Sequence, residues 1–164
     1  LVDEIATNEP EFQSIRPRMI YVGSTPTIFR GTILENLTLF RHDRRDFALS
    51  MAKLVGLEAT INLLPGGFET ALGEGAGDDL PPSIAQQLCI ARALVCRPRI
   101  LALDDINSVM DIASEKELAR VLQKLRGNLT IFLVTHRPSL LALCDHNLRI
   151  RGKKVVSEVS PSGA

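Results

Sequence analysis

Two periodicities alternate along the chain, and each predicts a different kind of element. Short runs rich in apolar residues occur at Met19–Val22, Ile100–Leu103, Thr130–Val134 and Leu148–Ile150. The second and third are almost unbroken, as strands buried on both faces are, and so predict a parallel sheet covered by helices. Between them Ser114 and Glu117 form a capping-box pattern, followed by Leu118, Val121, Leu122 and Leu125 on one helical face and Gly127 as a stop. Strand, helix, strand makes a βαβ unit with a right-handed crossover. From about Thr32 to Leu94 no comparable strand run occurs. Phe47–Leu57 is amphipathic, and Ser83–Val95 carries Ile84, Leu88, Ala91 and Val95 at helical spacing. Gly66-Gly67 and Gly73–Leu80 read as loops. Leu148–Val159 predicts a hairpin turning at Gly152-Lys153, with a frayed tail at Ser160–Ala164. The expected fold class is therefore α/β, a mainly parallel sheet with a helical insertion. We expect one domain over residues 1–164, its core formed by 1–29 and 96–159 and its helical subdomain by about 30–95.

Composition narrows the function classes. The 164 residues hold 19 Lys+Arg and 19 Asp+Glu, a zero formal charge that speaks against a nucleic-acid binder working through a broad basic surface. With 45% hydrophobic and 23% charged residues, the chain is globular in composition and large enough to bury a real core. Cys89, Cys96 and Cys144 show no CxxC spacing, which fits reduced thiols of a cytosolic setting better than a disulfide framework or a zinc site. No run approaches the roughly 18 uncharged apolar residues of a membrane span. The chain opens on Leu1-Val2 without a Met or a charged-then-apolar leader, and we expect it to be a piece of something longer.

The candidate chemistry lies at strand ends. Ile100–Leu103 runs into Asp104 and Asp105, and a carboxylate at the end of a buried parallel strand stands where open α/β sheets bind ligands and where nucleotide enzymes hold Mg²⁺. The next strand, Thr130–Val134, ends in Thr135-His136-Arg137, which places His136 within reach of the same ligand. His42, in the run Arg41-His42-Asp43-Arg44-Arg45, reads as part of a solvated charged loop, and the cysteines read as packing residues.

Together these segments resemble the nucleotide-binding domain of exporter-type ATP-binding cassette (ABC) transporters. Ile100–Asp105 is similar to the Walker B strand, Ser108-Val109-Met110-Asp111 to the D-loop, and Thr135-His136-Arg137 to the H-loop. Tyr21–Phe29 with Gly31–Asn36 resembles the Q-loop region and the segment that meets the membrane domain in exporters. Leu64-Pro65, Gly67-Phe68, Thr70 and Gly73-Glu74 resemble the stretch before the ABC signature, and Ile90–Leu94 the helix after it. The likeness spans about residues 1–157. It implies a partial P-loop NTPase-like three-layer core at the cytoplasmic face of a membrane, with ATP and Mg²⁺ as cofactors. It also implies that Asp104 holds the metal, that Asp105 and His136 are catalytic, and that Ser24, Ser83, Asp104 and Asp111 bind the nucleotide. The implied partners are a transmembrane permease domain docking on Thr25–Asn36 and a second nucleotide-binding domain or a second copy of the chain.

The departures from the family pattern shape the functional expectation. G-x-x-x-x-G-K-[ST] does not occur in these residues, and the one Gly-Lys is Gly152-Lys153. Ser24 stands where the family has the Q-loop glutamine, and Leu80-Pro81-Pro82-Ser83-Ile84 stands where it has Leu-Ser-Gly-Gly-Gln, so two prolines remove two N–H donors from a phosphate cradle. Asp105 replaces the catalytic glutamate and is one methylene shorter, and a water-orienting group must lie within hydrogen-bond reach. The expectation is a degenerate site that is inactive as an isolated chain. The alternative is a non-catalytic domain that pairs with a competent ATPase domain or a permease. In the family the P-loop strand lies between the strand ending at His136 and that of Leu148–Ile150. The edge of Thr130–Val134 is therefore expected to be closed, either by Leu148–Ile150 moving across to it or by association of two chains.

Overall fold

A computed structural model describes residues 9–158 apart from 11, 74–79 and 153. In chain order the elements are α1 (Phe12–Ile15), β1 (Met19–Val22), β2 (Gly31–Thr32), α2 (Ile33–Thr38), α3 (Arg45–Leu54), α4 (Leu57–Ile61), β3 (Ala71–Leu72) and α5 (Pro82–Val95). They continue with β4 (Ile100–Asp104), α6 (Ile112–Leu125), β5 (Thr130–Val134), α7 (Pro138–Leu141), β6 (Asn147–Arg151) and β7 (Lys154–Glu158). Most of the expected loop at Gly73–Leu80, the Lys153 half of the expected turn and the tail at Ser160–Ala164 lie outside the described residues.

The sheet is the predicted one, a parallel set in the order β1, β4, β5. Tyr21 stands beside Ala102 and Ala102 beside Phe132, while Val22, Leu103 and Leu133 line up one position on. The expected βαβ unit is β4, α6, β5. Two short pairs accompany the sheet. Gly31 and Thr32 run antiparallel to Leu72 and Ala71, and β6 pairs antiparallel with β7 across a turn in which Gly152 takes φ 53°.

The core lies between the sheet and the helices. Leu101 and Leu103 point into it with Leu88, Ala91 and Leu94 of α5, Leu37 of α2, Ala48 and Ala52 of α3, Leu57 and Ile61 of α4, and Leu118, Val121 and Leu122 of α6. Burying a side chain of this size stabilises the fold by about 1.5–3 kcal/mol. α5 is buried on almost every side, which accounts for its run of Ala, Leu, Ile and Cys with charge left only at Arg92. The amphipathic stretch predicted as one helix over Phe47–Leu57 is two, because Gly56 at φ 79° turns the chain between α3 and α4. A Cβ on Gly73, at φ 94°, would stand 2.6 Å from the Arg30 Cα, so only glycine lets β3 close on this loop.

Three expectations need correction. Helix α6 is capped three residues before Ser114: its cap is Asp111, whose carboxylate accepts the Ser114 N–H at 2.7 Å, and Glu117 pairs with Arg120 instead of closing a capping box. The capping box of this chain is at Thr32 and Glu35, where each side chain accepts the other's backbone N–H. Second, the strands are not buried on both faces. Along β5 the side chains alternate between half-buried and exposed, and Tyr21, Phe132 and Val134 are bare on the face away from the helices. Of the three layers of the partial P-loop NTPase-like core, the described residues form the sheet and one helical layer. Third, Leu148–Ile150 does not cross to β5. Among the described residues it pairs with β7 alone, and β5 is an edge strand of the three-stranded sheet.

Candidate functional site

The carboxyl ends of the three parallel strands bring together most of the residues singled out from the sequence. β1 leads through Gly23 to Ser24, β4 ends in Asp104 with Asp105 following, and β5 leads through Thr135 to His136. Asp105 takes the left-handed conformation, φ 49°, which Asp tolerates better than most side chains. Its backbone N–H still donates to the Val134 carbonyl at 3.0 Å, so the ladder between β4 and β5 continues one residue past the strand while the side chain is redirected. The His136 Nε2 then lies 3.8 Å from the Asp105 Oδ1, beyond hydrogen-bond length but within reach of an ion pair once the imidazole is protonated. The ring itself is open to solvent, with its side chain 81% exposed.

The polar groups here are incompletely paired. Asp105 Oδ1 is buried without a hydrogen-bond partner, and so is Asn107 Nδ2 on the following turn. A dry, unpaired carboxylate oxygen costs about 1–3 kcal/mol or more, and such groups persist where strain or a ligand accounts for them. Asn107 Oδ1 is satisfied, accepting the Thr135 hydroxyl at 3.0 Å, and the Arg137 N–H donates to that same hydroxyl oxygen. The turns after β4 and β5 are thus tied together around His136.

Asp104 has a partner that the sequence did not suggest. The Tyr21 hydroxyl donates to its Oδ2 at 2.9 Å, and the carboxylate that accepts this bond, with burial and its charge as lesser causes, holds the phenol above its ordinary value. Alternation on neighbouring strands is the signal that could have found it, since Tyr21 and Asp104 lie on the same face two strand positions apart. A second unforeseen tie is Gln86 of α5, whose Nε2 donates to the Gly23 carbonyl at 2.9 Å and anchors the loop carrying Ser24.

Ser83 and Asp111 are not joined to this cluster. Ser83 stands in the first turn of α5, and the carboxylate of Asp111 is engaged in capping α6, where the backbone N–H of Ser114 holds it below the usual carboxylate range. No hydrogen bond or ion pair among the described residues links either to Asp104, Asp105 or His136. Within Thr25–Asn36, only the first half is surface. Ser24, Thr25, Thr27, Phe29 and Arg30 are exposed, Ile28 packs on the core, and Ile33, Leu34, Asn36 and Leu37 are buried. Asn36 holds the loop in place: its Oδ1 accepts the Phe29 N–H at 2.8 Å, and its Nδ2 donates to the Phe29 and Thr32 carbonyls at 2.9 and 3.0 Å.

The donor set at the strand ends suits a hard cation and a polyphosphate. Asp104 and the unpartnered Asp105 Oδ1 are oxygen ligands of the kind Mg²⁺ takes, and His136 is a donor once protonated or in the right tautomer. Among the described residues no three His, Cys, Asp or Glu side chains converge as a complete metal cage. Mg²⁺ is commonly held by one or two carboxylates with waters and substrate phosphates, so this arrangement is compatible with it.

No family model matches the chain. Curated proteins do. It is 30% identical over 157 residues to the fatty acid ABC transporter ATP-binding/permease protein of Mycobacterium bovis, covering 95% of this chain and 25% of that protein. It is 32% identical over 160 residues to the ATP-dependent lipid A-core flippase of Desulfotalea psychrophila, covering 97% and 27%. With the multidrug resistance protein homolog 65 of Drosophila melanogaster it shares 30% over 161 residues, 98% of this chain and 12% of the relative. The chain thus spans about a quarter of the length of the first of these relatives. Among solved structures, a bacterial Atm1-family ABC exporter with ATP bound superimposes with a TM-score of 0.77 at 27% identity, over 86% of this chain and 25% of that one.

Proposed function

We propose that the chain, a homologue of exporter-type ABC transporters over nearly its whole length, is part of an ATP-binding cassette domain that couples ATP binding and hydrolysis to transmembrane transport. The observation that carries this reading is the placement of Asp104, Asp105 and His136, the residues on which the resemblance rests, at the ends of two adjacent parallel strands. No helix among the described residues is long and apolar enough to cross a membrane. In this reading the coupling runs through contact with a membrane domain at its cytoplasmic face.

In this reading the chain's residues divide the work. Asp104 would hold the cation through its carboxylate oxygens, one of which accepts the Tyr21 hydroxyl in this structure. Asp105, turned by its left-handed backbone, would orient the attacking water, and His136 would contact the terminal phosphate. Bound Mg-ATP would supply the phosphoanhydride and the cation that neutralises its charge. The site is degenerate in three places. The Ser24 hydroxyl is too short for the reach of a glutamine, Pro81 and Pro82 bring no N–H donors to the phosphates, and Asp105 falls a methylene short. A displacement of about 1 Å can lower a rate about a hundredfold.

The isolated chain is accordingly expected not to bind Mg-ATP tightly. Asp104 and His136 alone do not replace a cradle of backbone N–H groups. Titration calorimetry of the 164 residues with Mg-ATP tests this, and saturable binding at low micromolar concentration would overturn the degenerate reading.

A further inference from the structure

The Tyr21 ring stands exposed on the face of the sheet away from the helices, so burial does not decide where it points. In register it faces Ala102, and Asp104 lies two positions further along β4 on the same side. Two strand positions are about 6.6 Å and the next strand is about 4.8 Å away, a diagonal that a phenol spans and a serine or threonine hydroxyl does not. Gly23 clears the way. A Cβ there would stand 3.1 Å from the Tyr21 hydroxyl oxygen and 3.2 Å from ring carbon Cε1, so the ring lies along the chain over the glycine. From that position the hydroxyl donates to Asp104 Oδ2 at 2.9 Å. Gly23 is itself anchored, its carbonyl accepting the Gln86 Nε2 at 2.9 Å. A hydrogen bond from a neutral donor to a carboxylate is of the stronger, charge-assisted kind.

We propose that Tyr21 is a positioning residue of the cation site: its hydroxyl holds Asp104 Oδ2, so that the carboxylate presents Oδ1 to a divalent cation. The proposal rests on the reading of Asp104 as the cation's ligand and adds the residue that orients it. A ligating carboxylate whose second oxygen is held by a donor is fixed before the cation arrives, and partners of this kind are commonly worth about 10–100-fold in metal affinity. A phenol suits the place because it donates without carrying charge. Lys or Arg at position 21 would also donate to Asp104, but would repel the cation from the same carboxylate.

The test titrates Mn²⁺, which takes the same oxygen ligands as Mg²⁺, into the full 15N-labelled chain and into Tyr21→Phe, Gly23→Ala and Asp104→Asn. Binding is followed by paramagnetic broadening of the amide resonances at the ends of β4 and β5. Tyr21→Phe removes one exposed hydroxyl and leaves the packing intact, and it is expected to bind Mn²⁺ about tenfold more weakly. Gly23→Ala keeps the phenol but crowds its ring away from Asp104, and is expected to weaken binding in the same direction. The chain has one tyrosine and no tryptophan, so its tyrosine absorption band reports Tyr21 alone. Mg²⁺ is expected to shift that band in the unaltered chain and not in Asp104→Asn. Equal affinity of the unaltered chain and Tyr21→Phe, with binding lost in Asp104→Asn, overturns the positioning role and leaves Asp104 as the ligand. Tighter binding by Tyr21→Phe also overturns it, because phenol and cation would then compete for the carboxylate. No binding at the strand ends, or binding indifferent to Asp104→Asn, overturns the cation reading of Asp104 and this proposal with it.

Discussion

The two faces of the β1, β4, β5 sheet are built to different standards. On the helical face Leu37, Leu57, Ile61, Leu88 and Leu101 have no exposed surface at all, and even polar Asn36 is fully buried with three hydrogen bonds. On the other face Tyr21 is 66%, Phe132 56% and Val134 59% exposed, large side chains on the two strands that flank β4, with Tyr21 and Phe132 in register across Ala102. Purely parallel sheets occur almost only with both faces covered, and β4 and β5 carry the apolar sequence of such strands. The bare face is therefore written as a contact surface that the described residues leave open. The polar accounts follow the same boundary. Among the described residues the buried unpaired side-chain atoms are Gln86 Oε1, Arg92 Nη1, Asp105 Oδ1 and Asn107 Nδ2, all at the strand ends or where α5 meets the loop after β1.

The contrast can be broken by truncating one side chain on each face. Leu88→Ala leaves a cavity in the packed layer and is expected to cost about 2–5 kcal/mol, whereas Phe132→Ala on the bare face is expected to stay within about 0.5 kcal/mol. Urea unfolding of both variants measures it, and a Phe132→Ala cost comparable with that of Leu88→Ala would mean the face is covered in solution. A smaller effect sharpens the account of the loop. Asn36→Ala strands the Phe29 N–H and two carbonyls in a dry site, for an expected loss of about 1–3 kcal/mol. Its characteristic sign is faster amide exchange at Phe29 relative to the α5 amides, and unchanged exchange there would remove Asn36 as the clamp of the docking loop.

Much of this was legible in the chain. The spans Met19–Val22 and Thr130–Val134 follow directly from their apolar runs, and α5 from its helical spacing, because each signal is local and strong. What failed was non-local or ambiguous. A continuous apolar strand looks the same whether one face or two are covered, so the exposure of Phe132 and Val134 could not be read from β5 alone. Ser114 with Glu117 and Asp111 with Ser114 are competing caps three residues apart, and only the tertiary position of α6 chose between them. At the candidate site, the placement of Asp104, Asp105 and His136 was legible because strand ends are visible in sequence. Tyr21 on Asp104 and Gln86 on Gly23 were missed because their contacts join residues 83 and 63 positions apart.

The smallest expected effect concerns Asp111, for which resemblance implies a nucleotide contact and the structure shows a helix cap. The Ser114 N–H, donating to its carboxylate, favours the ionised form and lowers its pKa in the folded chain. A carboxyl group depressed on folding stabilises the native state above its unfolded pKa of about 3.9, and that contribution is lost as pH falls through the folded value. Asp43, lowered by Arg41, acts in the same direction, so the total acid lability does not isolate the cap. The difference between the chain and Asp111→Asn does, because asparagine keeps an oxygen that can accept the Ser114 N–H but does not titrate. The unfolding midpoint of the chain is expected to fall more steeply than that of Asp111→Asn between about pH 5 and about pH 3, with the two close at neutral pH. Parallel curves would place the Asp111 carboxylate off the helix end and return it to the nucleotide site.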